Sequence, residues 1–192
     1  MTEPARCPWC GTDPLYTAYH DNEWGTPLYD NQKLFEFLLL EGAQAGLSWI
    51  TVLRKRENYR AAFDNFNPEK IARYSEAKKA KLLLNEGIIR NRLKIDSAIK
   101  NAKAYLEMQK NGEDFSEFLW GFVGGKPQRN KHKTTSTVQA STPESDAMSK
   151  ALKQKGFNFV GTTICYAFMQ ATGMVNDHII SCHKYTSSKS GK

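Results

Sequence analysis

One carboxylate in the first quarter of the chain is spaced to meet a ligand from a buried position. Glu41 follows Leu34 by seven residues and Phe37 by four, so on a helix the three side chains share one face. A buried carboxylate is costly without a partner, and aromatic faces attract cations. The spacing predicts a pocket in which a flat cationic base stacks between rings while Glu41 supplies charge or a hydrogen bond. The candidate rings are those of Trp9, Tyr16, Tyr19, Trp24 and Trp49.

The same residues have a purely structural interpretation. Glu41 would then lie in solvent at a frayed helix end, and the rings would only fill the core. Residues 42–48, GAQAGLS, are small and are predicted to form a flexible loop. Such a loop could enter the gap that an extruded base leaves in a duplex.

Cysteines and histidines near the two chain ends have the composition of a metal site. His178 and Cys182 are spaced i, i+4, which places both on one face of a helix. Structural zinc sites use four such ligands in a tetrahedron and leave no open position. The quartet is Cys7, His20, His178 and Cys182, or a set in which Cys10 replaces Cys7 or His20, with His183 as a spare. Alternatively, these residues are unconnected.

Residues 151–168, ALKQKGFNFVGTTICYAF, are typical of two helices joined by a short turn. Gly156 ends the first helix, and Phe157 and Phe159 are apolar residues of the turn. The second helix begins at residues 161–163, GTT, where free backbone N–H groups bind anions and glycine lets a phosphate approach. Nearby lysines at positions 150, 153 and 155 favour DNA as the partner. The alternative is a helical hairpin without a ligand.

The segments that would hold these residues form one helix after another. Helical spacing and capping residues predict helices at 30–41, 90–109, 115–123, 142–156 and 161–172, among others. Residues 124–141 are polar and basic and are predicted to form a mobile surface loop. Residues 186–192 form a Ser/Lys tail that is predicted to be disordered. The predicted fold is therefore all-α, with a single helical domain over residues 1–185.

Composition and charge limit the function classes. The chain has 192 residues, of which 40% are hydrophobic and 24% charged, enough for one domain with a sizeable core. It has no apolar run of membrane-spanning length and no signal-peptide pattern, so a cytoplasmic protein without a membrane partner is expected. The net charge of +7 favours nucleic acid as a partner, although many basic proteins bind none. A reducing compartment disfavours disulfides, so the terminal cysteines indicate metal.

Four strings carry a resemblance to a known family. They are DPLYTAYHDNEWG (13–25), LEGAQAGLSWITVLRKRENYR (40–60), GIIRNRLKI (87–95) and KGFNFVGTTICYAFMQATGMVNDHIISC (155–182). Together they resemble the 3-methyladenine DNA glycosylase I family, from about residue 7 to residue 184. The resemblance is specific because several long strings occur in the same order.

The resemblance implies a fold and a set of site residues. The fold is the all-helical helix-hairpin-helix glycosylase architecture, with one structural Zn²⁺ that joins the N- and C-terminal segments. Glu41 corresponds to the residue that recognises the base and is the catalytic candidate. Its implied pocket partners are Trp9, Tyr16, Tyr19, Trp24 and Trp49; the implied zinc ligands are Cys7, His20, His178 and Cys182, without Cys10. The implied DNA-binding residues are Gly46, Leu47, Phe159, Gly161, Thr162 and Thr163.

One position differs from the wider group of helix-hairpin-helix glycosylases. Most of them place a catalytic aspartate after the second hairpin helix, two residues before a histidine. Here Asn176 holds that position and Asp177 is displaced by one residue, so Asp177 is not assigned as the catalytic acid; the family that the chain resembles is similar in lacking the usual aspartate. No lysine is placed for Schiff-base chemistry. The resemblance implies a monofunctional, monomeric glycosylase that acts on alkylated double-stranded DNA and releases free 3-methyladenine.

Two other functions fit parts of the sequence. A non-enzymatic DNA-binding module would use the hairpin and the basic surface, but it gives no reason to bury Glu41. A zinc-dependent enzyme of another kind would need an open coordination position and an activated water.

Overall fold

The computed structural model describes residues 3–187, with side chains up to Tyr185, and the described chain is mainly helical. Short 3-10 turns cover Pro8–Cys10, Asp64–Phe66 and Thr135–Thr137. Two short strands, β1 (Gln128–Arg129) and β2 (Val175–Asn176), pair in parallel. The helices are α1 (Pro14–Asn22), α2 (Asn31–Gln44), α3 (Trp49–Leu53), α4 (Arg56–Ala62), α5 (Pro68–Ile71), α6 (Glu76–Leu84), α7 (Arg92–Lys110), α8 (Phe115–Gly121), α9 (Pro143–Gln154), α10 (Thr162–Ala171) and α11 (His183–Ser187). The predicted helical class is confirmed, and the strand pair is an addition to it.

Side-chain caps explain where several helices begin. The Asp13 carboxylate accepts hydrogen bonds from Leu15 N and Tyr16 N at the start of α1. The Asp30 carboxylate accepts one from Lys33 N at the start of α2, as the sequence predicts. Such caps satisfy N–H groups that have no partner within the helix. They fix the first turns of the two helices that carry Tyr16 and Glu41.

Helix α2 passes through the centre of the molecule. Its residues from Leu34 to Ala43 are all buried, and it packs against α3, α7, α8 and α10. A helix that is buried on all sides has no solvent-exposed face on which Glu41 could lie. The interpretation that places Glu41 in solvent at a frayed helix end is therefore wrong.

The end of α2 differs from the prediction. The helix continues through Gln44, so the expected flexible loop at 42–48 is shortened to about 45–48. Gly42 packs closely against the turn before α10, where a side chain would come within 3.3 Å of Phe159 Cβ. The Lys94 Nζ donates to the carbonyls of Ala43 and Ala45, both at 2.7 Å. These contacts come from distant parts of the chain, which explains why local sequence did not reveal them.

Helix α7 also holds the turn between α9 and α10. The buried Asn101 side chain donates to Asn158 O at 3.0 Å and accepts from Asn158 N at 2.7 Å. The end of α2 and the turn before α10 therefore share one support, because Lys94 and Asn101 both lie on α7.

The predicted loop at 124–141 is irregular over most of its length, but it contains β1 and the 3-10 turn Thr135–Thr137. Its backbone bonds to the C-terminal part of the chain: Gln128 N donates to Met174 O, Asn130 N donates to Asn176 O, and Ile180 N donates to His132 O. The segment lies on the surface as expected, and both residues of β1 are exposed. A pairing partner about 45 residues away supplies the order.

Gly173 sets the path of the chain from α10 into β2. Its φ is +70°, and a side chain there would approach the Thr26 backbone to 2.3 Å. The predicted disordered tail at 186–192 falls mainly outside the described residues, although the backbone of α11 continues to Ser187. In the described part of the chain, the helices are all too short or too polar to cross a bilayer.

Candidate functional site

A cavity of about 250 Å³ lies beside the C-terminal half of α2. All six residues that the sequence analysis assigned to a base pocket line it: Trp9, Tyr16, Tyr19, Trp24, Glu41 and Trp49. Sequence reasoning missed the other side of the cavity, which is formed by Gln44, Thr135, Val138, Ala167, Gln170 and Asp177. The structure therefore brings the predicted residues together and adds a second wall from α10 and the 124–141 segment.

Glu41 is a buried acidic residue in the lining of this cavity. Its side chain is only 3% exposed, and burial raises its pKa from the ordinary value to about 8. Its Oε2 atom has no hydrogen-bond partner among the described residues. A buried polar atom without a partner is costly, so a ligand that bonds to it would recover that cost.

Trp49 contributes a second unsatisfied atom. Its indole Nε1 is buried and finds no acceptor within the described part of the chain. The ring centroid lies 5.4 Å from that of Tyr19 and 6.4 Å from that of Phe37. The cavity therefore offers both a free donor and a free oxygen beside aromatic faces.

The rings of Trp9, Tyr16, Tyr19 and Trp24 form a connected cluster beside α1. The Trp9 ring lies 5.0 Å from Tyr16 and 4.9 Å from Trp24, measured between centroids. Burial raises the pKa of Tyr19 well above its ordinary value, so its hydroxyl remains neutral. The cluster is therefore apolar and uncharged, which suits a flat ring that stacks.

Asp177 lies at the cavity wall with both carboxylate oxygens engaged. The side chain is fully buried and meets donors from two directions: Asn130 Nδ2 at 2.6 Å, His132 Nε2 at 3.2 Å, Tyr166 Oη at 2.7 Å and Gln170 Nε2 at 2.8 Å. Its neighbour Asn176 is buried in β2, where its Oδ1 accepts from His178 N. The sequence analysis gave Asp177 no role, and only a prediction of the 124–141 pairing would have revealed its partners.

The four predicted metal ligands meet at one point. The ligand atoms of Cys7, His20, His178 and Cys182 all lie within 4.8 Å of one another, and all four residues are buried. The Cys182 sulfur is 3.4 Å from His20 Nε2 and 3.5 Å from His178 Nδ1. Cys10 is outside this set, since its thiol faces Cys7 O and Gly11 O. Of the two quartets that the residues left open, the first is the one that the fold assembles.

Each histidine of the cluster is oriented by a second contact. His20 Nδ1 lies 2.7 Å from Asp21 Oδ1, and His178 Nε2 lies 3.1 Å from Trp24 O. Each contact leaves the other ring nitrogen facing the two sulfur atoms, which is the usual arrangement around a bound metal. The spacing and donor set fit a tetrahedral ion, so the cluster could hold a metal ion. None of the four ligands lines the cavity.

The predicted DNA-binding residues lie on the loop after α2, in the turn before α10 and in the first turn of α10. Gly46 has a φ of +77°, and Leu47 is 42% exposed just after α2. In the turn before α10, Phe159 has a φ of +54° and contacts Gly42. Thus the structure brings the two loops together beside the end of α2.

In the first turn of α10, the Thr162 side chain differs from the prediction that it binds a phosphate. Gly161 is the N-cap, and Thr163 is exposed. The Thr162 hydroxyl, however, donates to Asp146 and lies 3.0 Å from Ser145 Oγ. The predicted use of this hydroxyl for a phosphate is therefore not available without breaking those bonds.

The fold is that of solved DNA glycosylases over nearly the whole chain. A crystal structure of a 3-methyladenine DNA glycosylase I matches with a TM-score of 0.92 and 59% identity, covering 93% of this chain and 98% of that one. A tyrosine-to-phenylalanine variant of a 3-methyladenine DNA glycosylase I, solved in complex with 3-methyladenine, matches with a TM-score of 0.89 and 37% identity. That match covers 94% of this chain and 97% of the other.

Sequence comparison agrees with the fold. DNA-3-methyladenine glycosylase 1 of Escherichia coli (strain K12) is 58% identical over 184 residues, which are 96% of this chain and 98% of the relative. The family model for methyladenine glycosylase matches residues 9–185. The chain belongs to the methyladenine glycosylase family. The predicted resemblance and enzymatic nature are confirmed, and the interpretation as a non-enzymatic module is wrong.

Proposed function

We propose that this enzyme hydrolyses the N-glycosidic bond of 3-methyladenine in alkylated double-stranded DNA and releases the free base. It acts as a monofunctional glycosylase in base excision repair, as a monomer in the cytoplasm. The observation that carries the proposal is the unpartnered, buried oxygen of Glu41 in an aromatic cavity. The complex of a structural relative with 3-methyladenine supports the choice of base.

The target base must leave the duplex to reach Glu41. A base stacked in DNA cannot enter a buried cavity, and enzymes that act on bases extrude them at a cost of a few kcal/mol. Leu47 is exposed on the short loop after α2 and is the apolar side chain that would fill the vacated position. Gly46 allows the tight turn that presents it.

Charge distinguishes the damaged base from normal adenine. Methylation at ring position 3 makes the purine cationic, and a cation stacks favourably on indole and phenol faces. The positive charge also lowers the pKa of Glu41, so that the carboxyl group binds the base as a carboxylate. The free Nε1 of Trp49 adds a donor beside it. Because these buried groups require hydrogen bonds, a purine with a different edge, such as guanine, is rejected.

Little further catalytic machinery is needed. The glycosidic bond of the cationic nucleotide is already weak, since the base leaves as a neutral molecule. Holding the nucleotide and a water near the sugar carbon is then most of the remaining task. Glu41 contributes by binding the departing base in its reactive position.

The α9–turn–α10 unit is the helix-hairpin-helix element that would bind a DNA phosphate. The N–H groups of the first α10 turn have no partner within the helix, and Gly161 has no side chain to block an anion. The Thr162 hydroxyl is bonded to Asp146, so the backbone supplies the donors there. Phe159 packs on α2 and fixes the position of this phosphate site relative to Glu41.

One structural Zn²⁺ is the metal proposed for the four-residue cluster. Two sulfur and two imidazole ligands suit zinc, and a filled set of four leaves no position for substrate. When bound, the ion would add folding energy by joining residues near both chain ends. The cluster also supports the pocket, because the Trp24 ring lies 4.6 Å from the His178 ring.

Chromatography of bases released from methylated DNA tests the proposal. The wild-type protein should release 3-methyladenine, with 3-methylguanine released more slowly. Unmethylated DNA of the same sequence is the control. Absence of 3-methyladenine from the released bases would contradict the proposed function.

A further inference from the structure

Asp177 is the buried carboxylate that the proposed reaction does not use. Carboxylate oxygens accept hydrogen bonds, and the two oxygens of an aspartate side chain have about four lone-pair sites. Four donors surround it, two from the 124–141 segment and two from α10: Asn130, His132, Tyr166 and Gln170. No site is then left on Asp177 for activating a water molecule, although its side chain reaches the cavity wall.

The contacts of Asp177 continue into the part of the segment that closes the cavity. His132 Nε2 faces Asp177, and its Nδ1 lies 3.2 Å from Thr137 Oγ1. Thr137 ends the 3-10 turn that begins at Thr135, and Thr135 and Val138 line the cavity. These contacts therefore connect Asp177 in the protein interior to Thr135 and Val138 in the wall of the pocket.

We infer that Asp177 is a positioning residue that fixes the 128–138 segment as a wall of the base pocket, through Asn130 and His132. The inference rests on the proposed function for the identity of the base. The contacts that form the wall lie within the chain itself. Asp177 thus joins two parts of the pocket, α10 and the segment, that are far apart in sequence.

The Asp177→Asn substitution tests the inference with almost no change in size. Asparagine has one acceptor oxygen instead of two, so in either orientation its NH₂ group leaves one donor pair without its acceptor and breaks the link between α10 and the segment. We expect faster amide hydrogen exchange at residues 130–138 and roughly tenfold weaker binding of free 3-methyladenine, as a displaced wall implies. A double variant with Asn130→Ala and His132→Ala removes the contacts that the segment makes with Asp177, and it should give the same result. The combined triple variant should be no worse, because all three changes break one connection.

Tyr166→Phe is the matched control. It removes a donor to the same carboxylate from the α10 side and leaves the link to the segment intact. We expect wild-type exchange at residues 130–138 in this variant. Bound metal should be measured throughout, because Asp177 precedes His178; a wild-type metal content in Asp177→Asn confirms that the ligand cluster is intact.

Two results would overturn the inference. The first is wild-type exchange and base affinity in the Asn130→Ala, His132→Ala protein. The second is an Asp177→Asn protein that loses base release while its exchange and base affinity stay unchanged, which indicates a catalytic role. Amide exchange needs no substrate, so it tests the wall independently of the proposed function.

Discussion

At the scale of single residues, the burial of Glu41 makes the stability of the protein depend on pH. Its pKa in the folded chain is about 8, against an ordinary value of 4.5. Between these values the folded protein keeps a proton that the unfolded chain releases, so the free energy of unfolding falls as pH rises. We expect this loss to be complete above about pH 8 and to amount to about 5 kcal/mol, at about 1.4 kcal/mol for each pKa unit.

Glu41→Gln should remove this dependence. Glutamine is neutral at every pH, so we expect the variant to equal the wild type near pH 4.5 and to be more stable at pH 8.5. Urea unfolding of both proteins at the two pH values measures the difference. Glu57→Gln, at an exposed residue paired with Arg60, is the control and should follow the wild type. If the free energy of unfolding changes with pH equally in Glu41→Gln and in the wild type, the burial of an ionisable Glu41 is contradicted.

The pocket residues could be predicted because their signal is local. The spacing of Glu41 from Leu34 and Phe37 indicates a buried carboxylate, and the candidate rings all lie in about the first quarter of the chain, as the family resemblance also implies. Gln44 was missed because α2 ends three residues later than its sequence suggests. Asp177 was missed because its partners Asn130 and His132 become visible only when the chain is folded.

At the scale of elements, α7 holds the end of α2 and the turn before α10 in place. Its Lys94 ammonium donates to two carbonyls at the end of α2, and burial lowers its pKa. Lys94→Met keeps a long apolar stem but leaves the carbonyls of Ala43 and Ala45 without this donor. We expect a loss of about 1–3 kcal/mol in the free energy of unfolding and slower base release.

Lys103→Met provides the comparison for that variant. Lys103 lies exposed on the same helix, so its loss should change the free energy of unfolding by less than about 0.5 kcal/mol. Urea denaturation and base-release rates measure both variants. If Lys94→Met matches Lys103→Met in both, the support of α2 by α7 is not needed for function.

Helix existence was predictable, whereas helix ends and the strand pair were not. Asp30 and Thr142 cap α2 and α9 as the sequence suggests. The extension of α2 and the order in the 124–141 segment depend on contacts with α7 and β2, which lie far away in the chain. Polar composition predicts exposure correctly, but it does not distinguish a mobile loop from a strand paired at its edge.

At the scale of the whole molecule, the metal-ligand cluster joins the two ends of the chain. Cys7 and His20 precede the helical core, and His178 and Cys182 follow it. A bound ion would therefore stabilise the folded state as a whole, since the unfolded chain does not hold the four ligands together. We expect Cys182→Ser or removal of the metal to lower the free energy of unfolding by more than about 3 kcal/mol.

Metal analysis and thermal unfolding measure this effect together. The wild type should contain about one zinc per chain, a stoichiometry that follows from one set of four ligands. Cys10→Ser is the control, because its buried thiol lies outside the set, and it should retain the metal. A metal-free wild-type protein with the same melting temperature as the metal-loaded one would refute the structural zinc. Loss of activity without loss of stability would instead indicate a catalytic metal.

The rate at which Glu41→Gln releases 3-methyladenine tests the central claim most directly. Single-turnover assays on methylated duplex DNA, run near pH 7, compare this variant with the wild type and with Glu57→Gln. A carboxylate that holds the cationic base predicts a rate at least about 100-fold lower for Glu41→Gln, with Glu57→Gln unchanged. A Glu41→Gln protein that is folded and releases the base at the wild-type rate would contradict the role of Glu41 in the pocket.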